Sequence, residues 1–277
     1  MYKYSATQWI FGKEDVETSL NRLKRFGYDG VELAGEPYTM DLSAIQELMG
    51  RYGMECTSIC GIYTAERDLS SASSETRQGA IHYVKACVDM AVQLGASVVI
   101  VVPSPVGKGA PDTTTEEAWD HAVQSLREAG DYASGKNIKL AIEALNRFET
   151  HLVNKLEVAR KLAEQVDRES VGLMADLFHM NIEERNHRET LLNIAPYLMH
   201  VHIADNTREA AGLGMTNFRE VFQTLQEMGY KGSITMEFLP PVAYPYAASQ
   251  REEADDLFDH FTDQSIRHIK EIVAELV

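Results

Sequence analysis

Residues 98–102 read Val98-Val-Ile-Val-Val102, five apolar residues in a row with no polar alternation. A strand with one wet face alternates apolar and polar side chains. An unbroken apolar run of strand length fits a strand covered on both faces, as in a parallel sheet wrapped by helices. Upstream, Glu75–Leu94 has helical periodicity and stops at Gly95. Downstream, Pro103–Glu116 is rich in Gly, Pro and Thr, and Thr115–Ser134 is helical again and followed by Gly135.

The same alternation extends outward in both directions. Before it come strand-like Tyr4–Trp9, helical Val16–Phe26 closed by Gly27, strand Gly30–Leu33, a helix from Leu42 to Tyr52 with Gly53 behind it, and strand Glu55–Ile62. After it come strands Lys139–Leu145, Gly172–Leu177, Leu198–Ala204 and Ser233–Phe238. Helices Lys155–Gln165, Arg188–Ala195, Phe218–Met228 (closed by Gly229) and Asp255–Val277 follow them in turn. Glycine just past a helix supplies the left-handed residue that ends it. Such alternation builds either an open doubly wound sheet or a closed barrel. Eight strand–helix pairs in 277 residues favour closure, since barrels of this kind run to roughly 250 residues. No G-x-G-x-x-G or G-x-x-x-x-G-K-[ST] follows a strand, so the usual reason to prefer a nucleotide-binding open sheet is missing. The expectation is one (β/α)8 barrel domain over residues 1–277, with no linker or low-complexity segment. In such a barrel the loops at 63–74, Pro103–Glu116 and Pro240–Ser249 lie on the side that carries the active site. Long loops there read as lids.

The chain has 42 acidic and 26 basic residues, a formal net charge of −16. That balance repels phosphate backbones and anionic membranes, so neither nucleic acid nor membrane is expected as a partner. The three cysteines, Cys56, Cys60 and Cys87, are too few and too odd in number for a disulfide framework. Met1–Phe11 lacks a basic segment followed by an apolar one, and no apolar run approaches about 18 residues. The expected location is cytoplasmic.

Four consecutive strands each place a carboxylate or imidazole inside an apolar run. They read Ala-Ile-Glu143-Ala-Leu, Leu-Met-Ala-Asp176-Leu-Phe-His179, His200-Val-His202-Ile and Ile-Thr-Met-Glu237-Phe. A buried carboxylate costs several kcal/mol unless it is paired or metal-bound. Three on neighbouring strands would repel one another, and few basic residues lie in those strands. A divalent cation resolves the conflict. Three carboxylates and an imidazole without sulfur suit Mn2+, Mg2+ or Co2+ better than a structural zinc. Each residue also has a plainer reading. Glu143 could pair with Arg147, Asp176 could cap the following segment, and Glu237 could face solvent at the rim. His200 and His202 point to one side of their strand, and periodicity does not choose between them.

The spaced segments Glu143-Ala-Leu-Asn-Arg-Phe-Glu149, Asp176-Leu-Phe-His179-Met-Asn-Ile-Glu-Glu184, His200-Val-His202-Ile with Arg208 beyond it, and Met236-Glu237 form a familiar order. In it the chain resembles the sugar isomerase/epimerase superfamily of xylose-isomerase-like barrels, and within it the D-tagatose/D-psicose 3-epimerase group. The resemblance implies Glu143, Asp176, His202 and Glu237 as ligands of one divalent metal, Mn2+ in the first place. It implies Glu143 and Glu237 as the acid/base pair as well. It puts Glu149, His179 and Arg208 on the O1–O2 end of the sugar, and a homodimer or homotetramer as the working form. The chain departs from the group at Ala211-Gly-Leu-Gly214, at Gln8-Trp9-Ile10-Phe11 and after Phe238, regions that the resemblance implies line the far end of the pocket.

The implied reaction removes a proton beside a ketone and returns it to the opposite face through a cis-enediolate that the metal stabilises. An aldose–ketose or hydroxypyruvate-type isomerase would need much the same parts, and a sugar-binding barrel without activity would keep them too. A phosphorylated substrate would call on Lys108 or Arg147. An abasic-site endonuclease shares the barrel, but its basic DNA face does not fit a charge of −16.

Overall fold

The computed structural model describes residues 2–242 and 255–276. Eight parallel strands close into a barrel in sequence order. They are β1 (Lys3–Thr7), β2 (Gly30–Gly35), β3 (Glu55–Gly61), β4 (Val98–Val101), β5 (Lys139–Ile142), β6 (Val171–Asp176), β7 (Leu198–Ile203) and β8 (Ser233–Met236). β1 pairs with both β2 and β8, so the ring has no open edge. The described helices are α1 (Val16–Arg25), α2 (Leu42–Tyr52), α3 (Ser74–Leu94), α4 (Thr115–Gly135), α5 (Leu156–Val166), α6 (Leu177–Glu183), α7 (His187–Ile194), α8 (Phe218–Glu227) and α9 (Asp255–Glu275). The expected (β/α)8 barrel is therefore the fold found. No helix among the described residues is long and apolar enough to cross a membrane.

Local chemistry sets the helix ends. Asp15, Asp41, Ser73, Asn186 and Asn217 each accept a hydrogen bond from a backbone N–H in the first turn of the helix they precede. Thr114 and Glu117 form a reciprocal capping box at α4. Gly53 and Gly95 turn left-handed, as expected. Gly135 does not: α4 runs through it, Lys136 is still helical, and Asn137 makes the turn at φ 59°. Asparagine tolerates that region because its short amide can bond locally.

Three boundaries differ from the sequence reading in ways that matter. β1 ends at Thr7, and Gln8–Phe11 forms a 3-10 turn that carries Trp9 out of the sheet. The seven-residue α6 was not anticipated; Asp176 caps it by accepting from the Phe178 N–H at 2.8 Å. β5 and β8 stop one residue short of Glu143 and Glu237. Both glutamates still donate their N–H to the neighbouring strand's end, to Val101 O at 3.0 Å and Ile203 O at 2.9 Å.

The main apolar cluster fills the layer between strands and helices. Within the ring, Cys60, Val98, Ile100, Ala141 and Met174 of β3–β6 form a separate apolar cluster. The rest of the interior is polar. Thr57 Oγ1 donates to Ser5 Oγ at 2.9 Å, Ser5 and Thr235 share a 2.7 Å hydroxyl contact, and Ser58 donates to Glu32 at 2.6 Å.

Two irregularities in pairing serve this interior. Between β2 and β3 the register jumps at Val31/Glu32, leaving Thr57 extra, and between β6 and β7 it jumps at Leu173/Met174, leaving Met199 extra. A bulge lets two successive side chains share one face. So Thr57 and Ser58 both reach the interior network, and Met199 packs on the inner apolar cluster while its neighbour His200 meets Glu32.

The loop after β4 is tied to its neighbours. Gly107 N–H donates to Glu149 O at 2.7 Å and Thr150 Oγ1 to Ser104 O at 2.9 Å. Lys108 Nζ reaches Asp68 at 2.6 Å and Asp112 at 2.9 Å. Of the stretch Pro240–Ser249, residues 243–249 lie outside the described residues.

Candidate metal centre

Glu143, Asp176, His202 and Glu237 come together at the C-terminal end of the barrel, each offering one ligand atom within 4.8 Å of the others, and all are buried. Asp176 explains itself twice. Its Oδ1 caps α6, while its Oδ2 is buried without a hydrogen-bond partner. A buried acceptor left in that state fits a cation ligand. The donor set of three carboxylates and one imidazole fits a hard divalent ion.

The electrostatics of the group are uneven. Burial and the charge of Glu237 push the Glu143 carboxyl well above its usual range. Burial acts on Glu237 in the same direction, but the charges of His202 and Arg208 outweigh it and hold this carboxyl below its usual value. His202 is raised well above its ordinary value because Glu237 and Glu32 overcome its burial. Arg208, from the loop after β7, supplies a cation the strands lack: its Nη2 lies 3.1 Å from Glu237 Oε2.

His179 sits in the first turn of α6. Its Nδ1 accepts from the Asn146 backbone N–H at 3.1 Å, so its ring hydrogen belongs on Nε2. Nε2 faces Asp176 Oδ2 at 3.5 Å and Glu143 Oε1 at 3.8 Å. Burial lowers the His179 pKa to about 3, so the ring is a neutral donor. Glu149 accepts from Asn146 Nδ2 at 2.8 Å.

Arg208 adopts φ 63°, a left-handed conformation uncommon for a side chain of its size. Its guanidinium lies over the Phe178 ring at 4.4 Å, and its carbonyl accepts from Leu239 N–H at 2.7 Å. The loop behind it is wound on Asp205, whose carboxylate accepts from the N–H groups of Asn206, Gly212, Gly214 and Thr216 at 2.8–3.0 Å. A Cβ on Gly214 would fall 2.5 Å from Asp205 Oδ1. The Ala211-Gly-Leu-Gly214 stretch is thus a carboxylate nest.

A cavity of 310 Å³ opens above these residues. Trp9, Ile62, Tyr63, Val102, Val106 and Leu145 make its apolar wall, and Glu143, Glu149, His179, Arg208 and Glu237 its polar end. Trp9 Nε1 donates to Glu237 Oε1 at 3.1 Å. A larger hollow of 720 Å³ lies against Tyr2, Tyr4 and Tyr230, but it gathers no carboxylate or imidazole.

The structure brings together every site residue named from the sequence. Two of the plainer readings do not hold: Glu237 is buried rather than facing solvent at the rim, and Glu143 is not paired with Arg147. Arg147 pairs with Glu183, at 2.7 and 2.9 Å, rather than with Glu143. Lys108 is engaged by Asp68 and Asp112, and neither Lys108 nor Arg147 lines the 310 Å³ cavity. Sequence reasoning missed Glu32, Trp9, Asn146 and Asp205. Glu32 bore the same mark as the others, a carboxylate inside the apolar run Val31-Glu32-Leu33.

Residues 20–263 match the family described as xylose isomerase-like TIM barrel. A ketose 3-epimerase of Arthrobacter globiformis is 26% identical over 228 residues, covering 82% of this chain and 78% of that one. A 3-dehydro-D-guloside 4-epimerase of Escherichia coli is 28% identical over 242 residues, covering 85% and 91%. The crystal structure of D-psicose 3-epimerase with D-tagatose from Clostridium cellulolyticum superposes with a TM-score of 0.87 at 22% identity, over 98% of this chain and 99% of that one. The family match runs over most of the chain, and its eight-stranded ring is present in order: this chain belongs to the xylose isomerase-like TIM barrel family.

Proposed function

We propose that this protein is a divalent-metal-dependent epimerase that inverts C3 of a ketose. One observation carries the reading. Two buried carboxylates, Glu143 and Glu237, meet at the foot of the cavity from strand ends three places apart in the ring, where each can give one oxygen to a cation and keep the other for a proton. Inversion needs one group that takes a proton and another that gives one.

Glu143, Asp176, His202 and Glu237 would hold one divalent cation, Mn2+ first and Mg2+ or Co2+ as alternatives, which would supply Lewis-acid stabilisation of charge developing on the substrate's carbonyl oxygen. The remaining work falls to the chain. Glu237, ionised, takes the proton from the carbon beside the ketone. Glu143, protonated, returns one to the opposite face, and the roles reverse for the other epimer. The protons balance and no co-substrate is consumed. His179 Nε2–H and Arg208 hold the O1–O2 end of the sugar, and Glu149 relays a proton there. The apolar wall keeps water away from the carbanion-like carbon. As in the resemblance, the working form is a homodimer or homotetramer. Phe148 and Met215, 81% and 85% exposed on loops beyond β5 and β7, are apolar groups that such a contact could cover.

The test is product analysis after incubating metal-loaded protein with fructose, psicose, tagatose, sorbose and ribulose in D2O. The expected outcome is a C3 epimer with deuterium at C3; deuterium at C1 with an aldose product would sink the reading in favour of an isomerase. The Escherichia coli relative favours one second reading, inversion at C4 beside a C3 ketone. A 3-keto glycoside added to the panel reads that outcome directly.

A further inference from the structure

Glu32 lies on β2, across the ring from β7, and belongs to none of the roles above. It is fully buried. Ser58 Oγ donates to its Oε2 at 2.6 Å, and His200 Nε2 stands 2.9 Å from the same oxygen. His202 Nε2 lies 3.0 Å from its Oε1 and 3.1 Å from its Oε2. The other nitrogen of that ring, Nδ1, faces Glu237 Oε2 at 3.0 Å and so points into the four-residue group.

We infer that Glu32 is the positioning residue of the metal centre: it accepts a hydrogen bond from the Nε2–H of His202, which keeps the ring hydrogen there and presents Nδ1, with its lone pair free and correctly aimed, to the cation. The inference rests on the metal-site reading above. A neutral imidazole carries one ring hydrogen, so a partner that accepts at one nitrogen fixes the lone pair at the other. A carboxylate is the strongest such partner, and it raises the basicity of the ligating nitrogen. The arrangement is braced. Ser58 and His200, the two side chains that hold the Glu32 carboxylate, reach it through the two bulges in the sheet. Glu32, His200 and His202 could in principle hold a cation themselves. One there together with one in the four-residue group would require His202 as an anionic bridge, so the inference predicts a single bound ion.

The experiment measures Mn2+ affinity and stoichiometry on the folded protein by chelator competition for wild type, Glu32→Gln and Ile100→Ala. Ile100 lies in the apolar half of the interior and controls for lost packing. The expected result is one ion in wild type, a Kd raised about 10–100-fold in Glu32→Gln, and an unchanged Kd in Ile100→Ala. An unchanged Kd in Glu32→Gln, or two ions in wild type, would overturn the assignment. If wild type binds no ion, the metal-site reading itself fails, which is a separate result. Should Glu32→Gln not fold, histidine 15N spectra of the wild type loaded with Mg2+ or Zn2+ decide the matter. One ring with metal at Nδ1 and a strongly hydrogen-bonded proton at Nε2 supports the assignment; metal at Nε2 overturns it.

Discussion

The inside of the barrel has two unlike halves. From β3 to β6 it is packed with Cys60, Val98, Ile100, Ala141 and Met174. From β7 round through β8 to β3 it holds His200, His202, Thr235, Ser5, Glu32, Thr57 and Ser58, joined by hydrogen bonds. The first half is ordinary core, adaptable in detail and bought with buried area. The second aims one imidazole. A core tolerates small shifts at modest cost, whereas a metal ligand must be placed within a few tenths of an ångström. The difference teaches where chemistry and stability separate in this molecule.

The largest test of that separation is Glu237→Gln. Turnover should fall by about 10²–10⁴, the usual worth of a positioned acid/base group, with the thermal midpoint little changed. Steady-state kinetics and calorimetry on one preparation check both parts, and near-normal activity would break the assignment. Ile100→Ala should do the reverse. Truncating a buried isoleucine costs about 2–5 kcal/mol, read by urea unfolding, with kcat retained in the folded fraction.

How much of this was legible in the sequence varies by element. Val98–Val102 announced a strand buried on both faces because its pattern is the direct product of that burial. Glu143, Asp176 and Glu237 stood out because a carboxylate in an apolar run is costly without a partner. Glu32 carried the same mark but lies in mid-strand, one residue before Leu33, away from the strand ends where attention falls. The bulges left no trace, since one extra residue in Cys56-Thr-Ser-Ile59 or Leu198-Met-His200 breaks no visible period. α6 was hidden because seven residues make barely two turns, too few for a periodic pattern.

Two further effects fall at the rim. Asp205→Asn removes one oxygen from the nest beneath Arg208, leaving the Gly212 and Gly214 N–H groups short of an acceptor. Stability should drop by about 1–3 kcal/mol, and, on the proposed role of Arg208 in holding substrate, KM should rise more than kcat falls. The second is one of pH. Burial depresses His179 to about 3, against about 6.5 in the unfolded chain. The unfolded state therefore binds more protons between those values, so the stability His179 contributes is full above about pH 6.5 and is lost as pH falls toward 3. The slope is at most about 1.4 kcal/mol per pH unit. Denaturant titrations of metal-free wild type and His179→Gln across that range should diverge in slope; parallel curves would show that the ring titrates in the fold as it does in the unfolded chain.

Ring closure has a consequence for biosynthesis. The hydroxyl contact that seals β1 to β8 joins residues 230 positions apart. Such distant pairings form late and slowly. Glu237 arrives just after β8, so a chain still emerging from the ribosome carries Glu32, Glu143 and Asp176 but not the fourth member of the buried group. On the proposed function, no fragment that stops short of closure exchanges protons on a passing sugar, and completing the ring completes the reagent in the same event.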